Sequence, residues 1–215
     1  MIKCVIFDCD GTMFDTERLA KKAYEDYALN HGIHLNQEFW NGICGTGLEY
    51  ATPTLKQYPI IFDNIETVLK LRLANITEGA QSQKDALVKK GLYELLDYCE
   101  SHQILIAIAS SSHLNYVMML LDHMSRKIEF DTILCGDMIT HKKPNPEIFT
   151  TVMDKLNVSP DETLVLEDSL MGLLAAKAAN ATAGFIEDCV TKNEKIEELL
   201  DVEFSDFTEV INYLK

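Results

Sequence analysis

Lys3-Cys4-Val5-Ile6-Phe7-Asp8-Cys9-Asp10-Gly11-Thr12 passes from an apolar run straight into two carboxylates and a glycine. A short, unbroken apolar run closed by a glycine loop reads as a strand buried on both faces of a parallel sheet. Three more runs share this form: 104–109 (ILIAIA) stops at Ser110-Ser111-Ser112, Thr132–Cys135 stops at Gly136, and 163–166 (TLVL) stops at Glu167-Asp168. Thr182–Ile186 is a weaker fifth. The segments between them have helical spacing. Leu92, Leu95, Leu96 and Cys99 share one face, as do Tyr116, Met119, Leu120 and His123. A helix over 146–156 would carry Pro146 in its first turn, where proline is tolerated, and Ser169 can cap a helix through Ala179. Strands alternating with helices of this length define an α/β fold, a doubly wound parallel sheet of Rossmann-like type.

The stretch from 16 to 83 breaks the alternation. It holds helical patterns only: Leu19, Ala23, Tyr24 and Tyr27 up to Gly32, then Phe39-Trp40, then 48–58, then 65–76. The expected organisation is a catalytic core of 1–15 and 84–215 carrying a small, all-helical cap of 16–83 over the carboxyl edge of the sheet. Gly79-Ala80-Gln81-Ser82-Gln83 is the expected return hinge.

Composition narrows the partners. Nineteen Lys and Arg stand against 34 Asp and Glu, a formal charge of −15 among 215 residues. Such a field repels nucleic acid and anionic membranes, and an anionic substrate would need local cations or a metal. The N-terminal apolar run is too short for a secretion signal, and none approaches the roughly 20 residues that span a bilayer. Six scattered cysteines without a CxxC pair read as reduced thiols. The expectation is a cytoplasmic monomer that binds neither nucleic acid nor membrane.

In doubly wound sheets ligands bind at the carboxyl ends of the strands, where this chain places its polar residues. Asp8 and Asp10 alone could be turn residues. A calcium loop starting at Asp8 fails, because Met13 stands where glycine is needed and Leu19 where glutamate is. As chemistry, Asp8 is a nucleophile towards phosphorus and Asp10 a general acid and base, provided a metal and a cationic side chain neutralise the phosphoryl charge. At least one of Ser110, Ser111 and Ser112 is expected to cap the next helix; the same hydroxyls and N–H groups also suit phosphoryl oxygens. In His141-Lys142-Lys143-Pro144-Asn145-Pro146 the prolines fix the backbone beside Lys143, while His141 reads as a loop residue. Glu167 and Asp168 offer hard oxygen donors suited to Mg²⁺ beside Asp8, or else an acidic start to a helix.

Together these segments resemble the haloacid dehalogenase superfamily over essentially the whole chain. Phe7-Asp8-x-Asp10-Gly11-Thr12, Ser110, Lys143-Pro144-x-Pro146 and Glu167-Asp168-Ser169 occur in that family's order and spacing, with Asp15-Thr16-Glu17 and Gly172 adding to the match. The resemblance is to the branch with a helical cap after the first strand, which includes β-phosphoglucomutases and many sugar-phosphate and phosphoglycolate phosphatases. It implies that Asp8 forms an aspartyl-phosphate and that Asp10 protonates the leaving group and then activates water. Ser110, Ser111, Lys143, Gly11 and Thr12 would hold the phosphoryl group. Asp8, Asp10 through its carbonyl, Asp168 and Glu167 would hold Mg²⁺.

Some positions depart from that branch. Lys89-Lys90-Gly91 stands where Pro-Gly is common. Cys44-Gly45-Thr46-Gly47-Leu48-Glu49 lacks the cap-loop arginine of β-phosphoglucomutases, and Ala20 stands in place of their cap histidine. Arg72 or Lys70 could still reach a substrate anion. Trp40, Tyr24 and Tyr27 read as packing residues. The expected function is hydrolysis of a small phosphorylated metabolite, such as a sugar phosphate. The alternatives are a phosphosugar mutase and a non-catalytic phosphate-binding protein.

Overall fold

The chain enters its sheet through β1 (Cys4–Phe7), whose four side chains are all buried. The computed structural model describes residues 1–44, 47–189 and 192–215. Among these, five helices follow β1 in the helical segment: α1 (Glu17–Asn30), α2 (Gln37–Ile43), α3 (Leu48–Leu55), α4 (Pro59–Phe62) and α5 (Ile65–Ser82). The alternation then resumes with α6 (Leu92–Ser101), β2 (Leu105–Ser110), α7 (Leu114–Asp122), β3 (Thr132–Cys135), α8 (Glu147–Leu156), β4 (Thr163–Glu167) and α9 (Leu170–Ala178). The chain finishes with β5 (Thr182–Ile186), α10 (Glu194–Leu199), β6 (Val202–Phe204) and α11 (Phe207–Leu214).

The described strands form one sheet in the order β3-β2-β1-β4-β5-β6, every neighbouring pair parallel. The order reverses at β1, with β2 on one side and β4 on the other. Such a reversal leaves a crevice at the carboxyl ends, because the two flanking connections leave in opposite directions.

The pleat of β1 splits its side chains between two cores. Cys4 and Ile6 pack with Phe149, Val152, Val165 and Phe185, while Val5 and Phe7 pack with Leu95, Ile108, Leu166 and Phe207. Burial on both faces is why the strand is continuously apolar. Each large side chain so buried contributes about 1.5–3 kcal/mol of transfer free energy.

Side-chain caps fix several helix starts. Asn36 Oδ1 accepts from Phe39 N at 2.9 Å, Ser169 Oγ from Gly172 N at 3.0 Å and Asp206 Oδ1 from Thr208 N at 2.8 Å. Asn157 closes α8 at φ 53°, a left-handed position that asparagine tolerates better than most residues.

The helical segment has its own apolar centre. Tyr24, Phe39 and Trp40 meet edge to face, with centroids 5.0–6.3 Å apart, beside buried Leu55, Ile61 and Val68. The expected hinge differs in the structure: Gly79 to Ser82 form the last turn of α5, and the chain leaves it at Gln83. Gly79 serves packing instead, since a Cβ there would lie 2.4 Å from Leu19 Cδ1 of α1. The sequence reading also omitted β6, a three-residue edge strand.

Candidate active site

Asp8 follows β1 and is 8% exposed. Its N–H donates to Leu166 O at 3.0 Å, which sets it beside β4. Lys143 reaches it from the loop before α8: Nζ donates to Asp8 Oδ1 at 2.5 Å, Glu167 Oε1 at 2.6 Å and Ala109 O at 3.0 Å. Pro144, joined to Lys143 by a cis peptide, and Pro146 fix this turn. Phe149 of α8 stands under the ammonium, 4.9 Å from Nζ.

Asp10 is held by three hydroxyls from three segments. Thr16 Oγ1 and Tyr116 OH donate to Oδ1 at 2.7 and 2.6 Å, and Ser112 Oγ donates to Oδ2 at 2.7 Å. The expectation that one of the three serines caps α7 is overturned. The cap residue is His113, without a side-chain cap bond, and Leu114 N is satisfied by Asp137 Oδ1 at 3.0 Å. An acidic side chain from the next loop takes over that task, freeing Ser112 for Asp10. Ser110 Oγ accepts from Ser112 N at 3.1 Å, and both Ser110 and Ser111 line the cleft.

Glu167 ends β4 with both oxygens engaged, Oε1 by Lys143 and Oε2 by Ser169 N and Oγ at 3.2 and 2.8 Å. Asp168 accepts from Thr12 Oγ1 at 3.2 Å. Gly11 is required here twice over: its φ is 75°, and a Cβ would meet Asp168 Oδ2 at 2.1 Å. Gly11 and Thr12 thus back the carboxylates rather than line the cleft. Lys89 supports the same loop, donating to Gly11 O at 2.8 Å and Asp188 Oδ1 at 2.6 Å.

A cleft of about 260 Å³ opens above these groups, lined from the sheet side by Asp8, Asp10, Lys143 and Asp168. Its other wall is the helical segment: Glu17, Ala20, Lys21, Tyr24, Trp40, Cys44 and Arg72. Arg72 Nη2 donates to Glu17 Oε1 at 3.3 Å, while its Nε is a buried donor without a hydrogen-bond partner among the described residues. Lys21 Nζ sits 4.9 Å from the Trp40 ring centroid. Sequence reasoning singled out Arg72 and quoted Glu17 only as part of a motif, and it missed the site roles of Lys21 and Tyr116; each falls within an ordinary amphipathic helix. Lys70 is exposed and lies outside the cleft. Trp40 and Tyr24 both pack and line the cleft, whereas Tyr27 only packs. Of the cap-loop stretch, Gly45 and Thr46 lie outside the described residues. His141 is the exposed loop residue expected, its Nδ1 2.7 Å from Glu147 Oε2.

The charges do not cancel. Asp8, Glu167 and Asp168 offer oxygens within 4.8 Å of one another, against the single ammonium of Lys143. Burial pushes the Asp8 carboxyl up to about 8, although Lys143 pulls the other way. Asp168 is raised well above the usual range by burial and by its acidic neighbours Glu167 and Asp8. For Lys143, burial favours loss of the proton, but Asp8 and Glu167 outweigh it and hold the ammonium above its ordinary value. A surplus of buried, hard oxygen donors is what a divalent cation such as Mg²⁺ requires, so the residues present fit one.

Fold and site together define an α/β enzyme with a buried carboxylate at the sheet's switch point. The chain belongs to the haloacid dehalogenase-like hydrolases, whose family description matches residues 5–186. It is 32% identical over 180 residues to the phosphorylated carbohydrates phosphatase of Thermotoga maritima, covering 83% of this chain and 82% of that one. It is 26% identical over 213 residues to hexitol phosphatase B of Escherichia coli K12, covering 97% and 94%. Among solved structures, CbbY of Rhodobacter sphaeroides in complex with xylulose-(1,5)bisphosphate superposes with a TM-score of 0.74 at 25% identity, covering 97% and 96%. The β-phosphoglucomutase of Clostridium difficile shares the fold, with a TM-score of 0.77 at 22% identity over 100% and 96%. Among the described residues no helix is long and apolar enough to cross a membrane.

Proposed function

We propose that this phosphohydrolase releases phosphate from a small sugar or polyol phosphate through an aspartyl-phosphate on Asp8. The observation that carries this reading is the buried Asp8, with Lys143 on one carboxylate oxygen and the hydroxyl-clamped Asp10 two residues on. The names of the relatives, a phosphatase of phosphorylated carbohydrates and a hexitol phosphatase, support the substrate class.

Lys143 holds Oδ1 of Asp8, and among the described residues Oδ2 has no hydrogen-bond donor. Oδ2 is then the attacking atom: it bonds to phosphorus as the bond to the ester oxygen breaks. Asp10 gives the departing oxygen its proton. Water next attacks the aspartyl-phosphate; Asp10 takes a proton from it, and phosphate leaves as Asp8 is restored. Lys143 and the hydroxyls and backbone of Ser110 and Ser111 receive the phosphoryl oxygens. Glu167 keeps Lys143 charged and placed, and Gly11 and Thr12 keep Asp168 in position. Asp8, Asp168 and the Asp10 carbonyl would hold Mg²⁺, with Glu167 behind them; when bound it neutralises phosphoryl charge.

Helices α1 to α5 act as a cap that excludes bulk water during chemistry. Its half-buried Arg72–Glu17 pair supplies a donor and an acceptor for sugar hydroxyls. The expected partner is accordingly a phosphorylated metabolite.

The test is phosphate release from a panel of sugar phosphates, phosphoglycolate, nucleotides and an aryl phosphate, with Mg²⁺ or chelator, for wild type and Asp8→Asn. Magnesium-dependent release lost in the variant supports the reading. Release that survives Asp8→Asn would sink it. Conversion of glucose 1-phosphate to glucose 6-phosphate with a bisphosphate primer, and no release, would make the protein a mutase.

A further inference from the structure

Cys44, at the end of α2, and Cys189, in the loop after β5, are 145 positions apart in sequence, yet their sulfurs lie 2.6 Å apart. This is roughly half an ångström beyond a covalent S–S bond of about 2.05 Å. It is also too close for a shared metal: two thiolates about 2.3 Å from one tetrahedral zinc ion would sit nearly 4 Å apart. A bond between the sulfurs is therefore the nearer end state, although Glu17 lies within 4.8 Å of both.

We propose that Cys44 and Cys189 are a reversible dithiol–disulfide site, oxidised by a small peroxide, which joins the helical segment to the sheet domain at the rim of the cleft. The Cys189 sulfur attacks one peroxide oxygen, giving a sulfenic acid and one water. Cys44 then displaces the hydroxyl from that sulfur, forming the S–S bond and a second water. Two thiols lose two hydrogens and two electrons, and one hydrogen peroxide is reduced.

The pair differs from the other cysteines. Cys4, Cys9, Cys99 and Cys135 are buried, and desolvation raises each thiol above its ordinary range, which leaves them unreactive. Cys189 is half-buried whereas Cys44 is buried; the hydrogen bond the two thiols share lowers the pKa of Cys189 and, together with burial, raises that of Cys44. Cys189 is the attacking sulfur and Cys44 the resolving one.

Cys44 lines the cleft, so the bond ties a wall of the site to the loop that follows β5. If the helical segment must move to exchange substrate and product, the disulfide arrests turnover. This consequence, unlike the bond itself, rests on the phosphohydrolase mechanism proposed above.

The experiment exposes the full chain to hydrogen peroxide, alkylates the remaining thiols and maps peptides by mass. The expected result is loss of two alkylatable thiols, a cross-linked peptide pair containing Cys44 and Cys189, and reversal by dithiothreitol. Cys189→Ser should lose no pair. Both cysteines remaining alkylatable, or cross-linking only between chains, overturns the site. In parallel, phosphate release should fall on oxidation, recover with dithiothreitol and be insensitive to peroxide in Cys189→Ser. An internal disulfide with unchanged turnover overturns the arrest. Absence of release before oxidation counts against the phosphatase mechanism and leaves the mass result to decide the bond.

Discussion

Ser112 donates through Oγ to Oδ2 of Asp10 at 2.7 Å, across 102 positions of sequence. With Tyr116 OH and Thr16 Oγ1 on the other oxygen, it leaves Asp10 little rotational freedom. Such a clamp matters for an acid that must meet both a leaving group and a water. Ser112→Ala and Tyr116→Phe should each lower kcat about tenfold, the order of one hydrogen bond. The thermal midpoint should move little. Unchanged kcat in both variants would remove the clamp from the mechanism.

The acidic cluster predicts how pH and metal interact. An unfolded carboxyl titrates near about 4, whereas burial raises Asp8 in the fold to about 8. Between these values the folded, metal-free protein binds more protons than the unfolded chain, so its stability falls as pH rises through that window. Mg²⁺ competes with those protons. Melting curves in chelator should fall in midpoint across this range, and the gain from added Mg²⁺ should grow with pH. A gain independent of pH would place the ion away from Asp8.

Arg72 and Glu17 offer a specificity test. Truncating only Arg72 would strand a half-buried carboxylate, so the informative variant is Arg72→Met combined with Glu17→Gln. It should raise KM for sugar phosphates about tenfold or more, the cost of one or two charge-assisted hydrogen bonds. KM for a flat aryl phosphate should stay near wild type. Equal losses on both substrates would show that the pair only supports the fold.

Gly172 lies under Glu167, and a Cβ there would fall 1.8 Å from Glu167 Cδ. Gly172→Ala should destabilise by about 1–3 kcal/mol, the usual cost of overpacking. Because Glu167 must shift, Lys143 loses a partner and phosphate release should fall further than stability alone explains. Denaturant unfolding and turnover at a temperature where the variant stays folded would separate the two effects.

The strands were legible because burial on both faces forces unbroken apolar runs, and their polar stops mark the site's edge of the sheet. Thr132–Cys135 and Thr182–Ile186 agree to the residue, β2 is shifted by one residue to Leu105–Ser110, and β4 extends one residue further, to Glu167. Short edge strand β6 was not, since only Phe204 of its three residues is fully buried. The Asp8, Lys143, Glu167 and Asp168 cluster could be anticipated from motif order. The hydroxyl of Tyr116 could not, because its spacing on α7 matches an ordinary apolar face. Nor could the serine cap be judged without Asp137, supplied by another loop. The proximity of Cys44 and Cys189 leaves no local trace at all, as neither spacing nor composition encodes contacts between distant segments.

The cleft has two walls with separate genetic addresses. Asp8, Ser110, Lys143 and Asp168 are spread over 161 positions and converge only through the sheet, whereas Glu17, Lys21, Trp40 and Arg72 come from one uninterrupted stretch. A recombination event that replaced this stretch would exchange the wall facing the substrate in a single step and leave the reacting groups in place. Thr16 is the join between the two inheritances, since its hydroxyl touches Asp10 at the residue where the helical stretch begins.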